Sequence, residues 1–504
     1  MVSTYSVNVI NAFNKVCALT DYNFYNNITK RHEFRIQTIN ENKYLTKDER
    51  LEVIQLLIED YDYNKVLYGE GEKRLCEDCE QECLATLYCE NCIRNYFESL
   101  SSGWTSGNDD IDDLIKKCQS ETLHPSMIVE WIPYSNLREI KYSTKGGCSE
   151  IYLAEWVEGQ YIKWDINEKQ LKRLGTHKVI LKKLENFTSV NRTWFDEAES
   201  HLTIGNKWIE IVRCHGLTQD PKTQQYFLVM NQMDLDLRTY LMLNHDKLIW
   251  KERIKITVDI INALDSIHRE NKIHRDLHSG NILYSKRLDL WFISDFGFCG
   301  PVNEPFRSIY GNLPYIAPEV IIAKKYNYAS DIYSIAMLMW EIAFGQSPYS
   351  HYKHDFHLAM KIIHGMRPKL MSDIPLEYKN LMEKCWNANP NNRPKINDLW
   401  ITIRKISASY YVDEALKRNQ EFHNSQLQLN IPASRGNTSS IYRFTNLTEG
   451  QEEFHSDYPY SIPTVLGDDT KKLHSSVFRN LKINSNNDFR NDDKTIQWNK
   501  NYTN

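Results

Sequence analysis

The run His274-Arg275-Asp276-Leu277-His278-Ser279-Gly280-Asn281 places a carboxylate and an amide side chain on one short stretch. Fourteen residues after the amide comes Asp295-Phe296-Gly297. Phosphoryl transfer to a hydroxyl needs this combination. One carboxylate orients the hydroxyl and accepts its proton, and an amide oxygen with a second carboxylate holds magnesium. Asp276 suits the first role; Asn281 and Asp295 suit the second. A different chemistry is written upstream. Cys76-x-x-Cys79 and Cys89-x-x-Cys92 are two knuckles separated by nine residues. Four thiolates from two such turns can close a tetrahedral zinc site, and with no histidine or open ligand that site is structural. The separation is shorter than the common spacing of about 15 to 20 residues. Cys83 lies between the knuckles as a competing ligand, and a set of reduced thiols without metal is the plainer alternative. The acidic neighbours Glu77, Asp78, Glu80 and Glu90 argue against a nucleic-acid role for this segment.

The first run matches H-R-D-L-x-x-x-N at every fixed position, and the second supplies D-F-G. On these motifs the chain resembles the protein kinase superfamily. The resemblance implies ATP and magnesium, and it assigns further residues. Lys182, closing the β-like run Lys178-Val179-Ile180-Leu181-Lys182, fits V-A-I-K in type and is the implied partner of the α- and β-phosphates. Strand alternation turns Lys183 to the other face. Glu197 is the implied partner of that lysine, with Glu199 as rival, since residues two apart on a helix point in different directions. The phosphate-covering loop is the weakest match. In Thr144-Lys145-Gly146-Gly147-Cys148-Ser149-Glu150-Ile151 only Gly146 falls on a motif glycine; Gly147 adds backbone freedom beside it, and Ile151 ends the register. The strand Tyr226 to Met230 leads to a hinge, Asn231-Gln232-Met233, whose backbone would bind adenine, with Met230 guarding the back of the nucleotide site. The same resemblance pairs Glu319 of Ala317-Pro318-Glu319 with Arg393 and makes Asp331 an anchor for the catalytic-loop backbone. It also makes Arg275 a partner for a phosphate on the segment between Asp295 and Glu319, where Ser308 and Tyr310 are the candidate switches.

Two departures bear on the type of kinase. His278 stands where serine/threonine kinases carry a phosphate-facing lysine, and Asn312 where they carry a threonine. His278-Ser279-Gly280-Asn281 is most similar to the tyrosine-kinase-like branch, which mostly modifies serine and threonine. With its cysteine cluster, Trp104-Thr105-Ser106-Gly107-Asn108 and Trp131-Ile132-Pro133-Tyr134, the chain looks like a lineage-expanded fungal kinase group. The resemblance therefore implies protein substrates, serine and threonine favoured over tyrosine, in signal transduction. The degenerate glycine loop leaves a second reading open: a pseudokinase scaffold that binds ATP weakly or not at all and acts through its zinc element and partners. Lys182, Asp276, Asn281 and Asp295 oppose it. A third reading makes the first 130 residues an adaptor that binds other proteins.

Size and composition set the frame. At 504 residues the chain suggests several units, and 41% hydrophobic residues suffice for a globular core. A net charge of −5 supplies no basic field for nucleic acid. The start, Met1 to Thr20, lacks a basic stretch followed by a long apolar run, and the longest apolar stretch, Ile332 to Phe344, is too short for a bilayer and contains Glu341. The expectation is a cytoplasmic protein with no membrane partner, whose eleven cysteines are thiols or metal ligands.

The expected fold class is α+β: a bilobal, protein-kinase-like unit with a small β-rich lobe and a large α-helical lobe, over residues 137–406. Short β-like runs come first there and long helical patterns follow. Before it come a polar region, 1–75, a zinc-ribbon-like element, 76–92, and a linker, 93–136. Thr46-Lys47-Asp48-Glu49 spells a capping box for one short helix with a Leu51, Ile54, Leu57, Ile58 stripe. The acids Asp109, Asp110, Asp112 and Asp113 read as a solvated helix start. Residues 407–504, rich in Asn, Ser, Asp and Gln, read as a mostly disordered tail.

Overall fold

The computed structural model describes residues 5–100, 103–145, 149–185, 194–301, 311–323, 325–370 and 373–411. From 412 on, the expected tail lies outside the described residues, as do Gly146, Gly147, Ser308 and Tyr310.

The N-terminal region departs from the expectation of one short helix. It holds three: α1 (Val7–Leu19), α2 (Ile28–Asn40) and α3 (Lys47–Tyr68). Ser6 and Asn27 cap the first two by accepting from Val9 N and Lys30 N. Thr46 and Glu49 close the capping box at the start of α3, and Gly69, at φ 65°, ends it. Val9, Ala12, Val16, Ile39, Val53 and Leu57 form the shared core, whereas Leu51 of the expected stripe is exposed. Part of what α2 buries is charge rather than hydrocarbon. Arg35 donates to Asp60 of α3 at 2.7 Å and to Thr20 and Tyr22. A buried cation satisfied in this way leaves no apolar periodicity to read.

The strands β1 (Arg74–Leu75) and β2 (Glu82–Cys83) pair across the first cysteine knuckle, and α4 (Glu90–Leu100) leaves the second. A further helix, α5 (Asp109–Ser120), follows. The stretch expected as a linker therefore carries two helices. Ile93 and Phe97 of α4 and Ile111, Leu114, Ile115 and Cys118 of α5 are buried, each large side chain contributing about 1.5–3 kcal/mol of gross burial. The helix start at Asn108 is as expected, but Asp112 is not solvated. It is buried and accepts from Ser106 N and the hydroxyls of Thr105 and Ser106.

A six-stranded sheet forms the small lobe. Its strands are β3 (Glu130–Trp131), β4 (Leu137–Lys145), β5 (Glu150–Trp156), β8 (His177–Lys183), β9 (Cys214–Gln219) and β10 (Tyr226–Asn231), in the order β3-β9-β10-β8-β5-β4. Only β3 pairs parallel, with β9. Gly216 makes this approach: at φ +146° it lies so close to Glu130 O that a Cβ could not be accommodated. The hairpin β6 (Tyr161–Asp165) and β7 (Gln170–Arg173) projects between β5 and β8 and packs on the cysteine element through Tyr161, Leu171 and Trp164. The helix α6 (Trp194–Gly205) lies against the sheet, as does α5.

The large lobe is helical: α7 (Leu237–Asn244), α8 (Trp250–Arg269), α9 (Pro318–Ala323), α10 (Tyr328–Phe344), α11 (Phe356–Ile363), α12 (Leu376–Cys385) and a last helical stretch, 396–411. It carries a small sheet of β11 (Leu235–Asp236), β13 (Ile282–Ser285) and β14 (Leu290–Ile293), and the pair β12 (Lys272–Ile273) and β15 (Gly300–Pro301). Fourteen of the residues of α10 are buried, and the lobe is built round it. No helix among the described residues is long and apolar enough to cross a membrane.

Candidate active site

The sheet and α6 bring distant charges together. Lys182, on the central strand β8, places Nζ 2.7 Å from Glu197 Oε1 and 2.8 Å from Asp295 Oδ1. Glu199, the rival, is exposed. Lys183 turns to the other face and pairs with Glu150 and Glu185. Burial alone would lower the Lys182 ammonium; Asp295 and Glu197 overcome it and hold the charge on. Burial alone would raise Asp295; Lys182 overcomes it and holds the carboxyl below its usual range. Asp295 also accepts from Gly297 N and sits at φ 63°, a left-handed conformation costly to a residue with a Cβ.

The catalytic loop hangs from the start of α10. Asp331 Oδ1 accepts from Arg275 N at 3.0 Å, and Oδ2 accepts from His274 N and His268 Nε2, both at 2.9 Å. Arg275 is also left-handed, at φ 72°. Its guanidinium donates to the carbonyls of Phe298 and Pro301, tying the loop to the segment that follows Asp295. The expected phosphate donors for this arginine, Ser308 and Tyr310, lie outside the described residues. Asn281 Nδ2 donates to Asp276 O at 2.9 Å. A carbonyl only accepts, so this contact fixes the amide with Oδ1 as its remaining acceptor. His278 Nε2 lies 3.7 Å from Asp276 Oδ2, so the residue in the lysine's place sits against the carboxylate. Arg393 and Glu319 meet in a two-bonded ion pair at 2.6 and 2.7 Å.

Of the residues expected around a nucleotide, Ile151 pairs with Lys182 in the sheet, and Met230 is buried near the end of β10. Gln232 is exposed and Met233 half-buried just beyond that strand. Gly146 and Gly147 lie outside the described residues. An amide oxygen and carboxylates are the hard donors that magnesium takes, so Asn281 and Asp295 fit that ion.

Three residues that sequence reasoning missed complete the site. His201, four residues after Glu197, accepts from Phe296 N at 3.3 Å and its ring lies 5.0 Å from that of Phe296. Burial and the Lys182 charge push its imidazole down to about 3, so it stays neutral and able to accept. Gly311, at φ +110°, runs so close to the catalytic loop that a Cβ would lie 3.1 Å from Asp276 Oδ1. Glu341, which interrupts the apolar α10, is buried and accepts from Ser279 Oγ and Tyr315 OH. A carboxyl inside an apolar run was the available signal for Glu341; nothing local marks the other two.

The chain is 31% identical over 225 residues to a probable serine/threonine-protein kinase, roco8, of Dictyostelium discoideum, covering 42% of this chain and 12% of that protein. It is 30% identical over 187 residues to a probable LIM domain-containing serine/threonine-protein kinase of the same organism, covering 37% and 19%. It is 30% identical over 167 residues to serine/threonine-protein kinase STY17 of Arabidopsis thaliana, covering 32% and 29%. The chain thus spans less than a third of the length of each of these relatives. A family model described as protein tyrosine and serine/threonine kinase matches residues 115–403, beginning inside α5. That match takes in more than half of the chain, which belongs to the protein tyrosine and serine/threonine kinase family.

Proposed function

We propose that the protein is an ATP-dependent serine/threonine protein kinase of the tyrosine-kinase-like branch, acting on protein substrates in signal transduction. The observation that carries the reading is Lys182 bridging Glu197 and Asp295 at 2.7 and 2.8 Å. A lysine held charged in a dry site presents a fixed cation to the α- and β-phosphates of ATP. Glu197 fixes where that cation points. Asp276, steadied by the loop that Asp331 anchors, orients the substrate hydroxyl and accepts its proton as the oxygen attacks the γ-phosphorus and the bond to ADP breaks. Asn281 and Asp295 would hold magnesium, which would supply charge neutralisation for the phosphates of ATP. Serine/threonine preference follows His278-Ser279-Gly280-Asn281 and the names of the relatives quoted above. Incubating purified protein with ATP and magnesium and hydrolysing the phosphorylated products tests the preference. Phosphoserine and phosphothreonine are expected; phosphotyrosine alone would contradict it.

We also propose structural zinc on Cys76, Cys79, Cys89 and Cys92. Their sulfurs lie within 4.8 Å of one another, with pairs at 3.6 and 3.7 Å. A tetrahedral site with zinc–sulfur bonds of about 2.3 Å has edges of about 3.8 Å, so the donors fit the ion. Cys83 is buried beside them but is not one of the four. One zinc per chain, lost in Cys76→Ser, is the expected metal analysis. The N-terminal region also presents exposed apolar side chains, Phe24, Tyr44 and Leu75, to which a protein partner could dock.

A further inference from the structure

Glu197 reaches Lys182 only while α6 lies against the sheet, and α6 also packs on α5. Ala198 and Leu202, four residues apart on α6, are fully buried in one cluster that joins Ile111, Leu114, Ile115 and Cys118 of α5 to Leu217 and Leu228 of the sheet. Asn206, just past the end of α6, donates from Nδ2 to Cys118 O at 2.9 Å. Arg213 bonds both Gly205 O at the end of α6 and Ile128 O, beyond α5. The C-terminal end of α5 is in turn held by the cysteine element. Tyr88 OH, one residue before Cys89, donates to Leu123 O, and Arg94 of α4 donates to Thr122 O. The knuckle itself is moored on two sides. Asp62 of α3 accepts from Thr86 N and Leu87 N, and Asp78, between Cys76 and Cys79, pairs with Lys169 of the β6–β7 turn. A continuous set of contacts therefore runs from the four cysteines through the end of α5 to the helix that carries Glu197.

We propose that α5, locked by the metal-bound cysteine knuckle, is a built-in positioning element for Glu197, so that occupancy of the knuckle sets the turnover of the kinase. This rests on both readings made above, the catalytic and the zinc. Without α5, the cluster that buries Ala198 and Leu202 would lose Ile111, Leu114, Ile115 and Cys118, and Asn206 would lose its bond to Cys118 O. The pairing of Glu197 with Lys182 would then compete with arrangements in which α6 swings away from the sheet. Zinc acts at a distance by choosing between these arrangements, through a coupling typical of linked sites.

The test uses the full chain, with kcat and ATP KM measured for four samples: wild type, Ile115→Ala, Ile115→Leu, and wild type stripped of zinc by a chelator and then resupplied with zinc ion. The expected result is a kcat about tenfold lower in Ile115→Ala and in the stripped protein. ATP KM should change much less, since the displaced helix leaves the hinge intact. Ile115→Leu and resupplied zinc should restore kcat. A purely structural role would lower the active fraction without recovery on zinc addition, and that outcome overturns the proposal. So does wild-type kcat in Ile115→Ala or in stripped protein whose circular dichroism is unchanged, and so does protein that purifies without zinc. Asp276→Asn, run beside them, separates the failures. Wild-type turnover there overturns the catalytic reading itself, and this one with it.

Discussion

Asp276 is the proposed acceptor of the substrate proton, and its surroundings are tighter than its motif indicates. Gly311 passes close to its carboxylate at φ +110°, and a Cβ there would meet Oδ1 at 3.1 Å. Gly311→Ala carries both a backbone penalty and a small displacement of the Asp276 carboxylate, so kcat/KM should fall about tenfold, less than the effect of a misplacement near 1 Å. The unfolding midpoint should move far less than in a core truncation. Steady-state kinetics and urea unfolding of the same variant check both. Asp276, Asn281 and Asp295 were singled out in the sequence because phosphate and magnesium would dictate residue type and spacing together. Glu197 was chosen over Glu199 on a one-sided helix argument, and Lys182 over Lys183 on strand alternation; the salt bridges fall on those choices. Gly311 and His201 were not legible, because each acts through a partner far away in sequence.

At the scale of elements, α6 and the strands beside it bury imidazoles where a hydrocarbon would be ordinary. Burial and nearby cations push His201 and His215 down to about 3, and burial takes His124, next to α5, to about 4. An unfolded chain binds these protons below a pH of about 6.5. The folded chain does not until about 3 to 4. The unfolded state therefore holds more protons between those limits, and these three histidines make stability fall as pH falls through that window. Thermal unfolding at pH 7 and pH 5 should show a lower midpoint at pH 5, and His201→Gln, which keeps an acceptor without the titration, should lessen the drop. An unchanged difference in His201→Gln would remove this histidine from the account. The elements themselves were unevenly legible. Thr46 and Glu49 announced α3 because a capping box is local. The helices α2 and α4 were passed over where polar residues, Arg35 and Glu90 among them, occupy part of their buried surface, and of α5 only the start was read, with the buried Asp112 taken for a solvated acid; α1 was passed over although Val9, Ala12 and Val16 give it an apolar buried face. A reading based on apolar periodicity takes such segments for linkers.

Across the whole molecule, the N-terminal helices lie on both lobes. Tyr63 of α3 donates to Lys207 O, just past α6, while Arg404 of the last helical stretch donates to Cys17 O at the end of α1. Arg404 also stacks on Tyr22 at 4.4 Å and on Trp400 at 4.9 Å. Arg404→Ala loses a charged hydrogen bond and two cation–ring contacts, together about 2 kcal/mol, and should lower the urea midpoint while leaving kcat close to wild type. A fall in kcat as large as that of Gly311→Ala would contradict this division of labour. The order of β-rich then helical segments made the two lobes legible in advance, but the attachment of the first 130 residues to them was not, since every contact that makes it joins positions far apart in the chain. All of these arrangements matter to function only if the site transfers phosphate. Purified wild-type protein and Asp276→Asn, incubated side by side with γ-labelled ATP, magnesium and a serine- and threonine-containing protein substrate, give the most direct measurement. The account predicts label transfer by wild type and a loss of about 10²–10⁴-fold in Asp276→Asn. Equal transfer by the two proteins, or none by either, would contradict it.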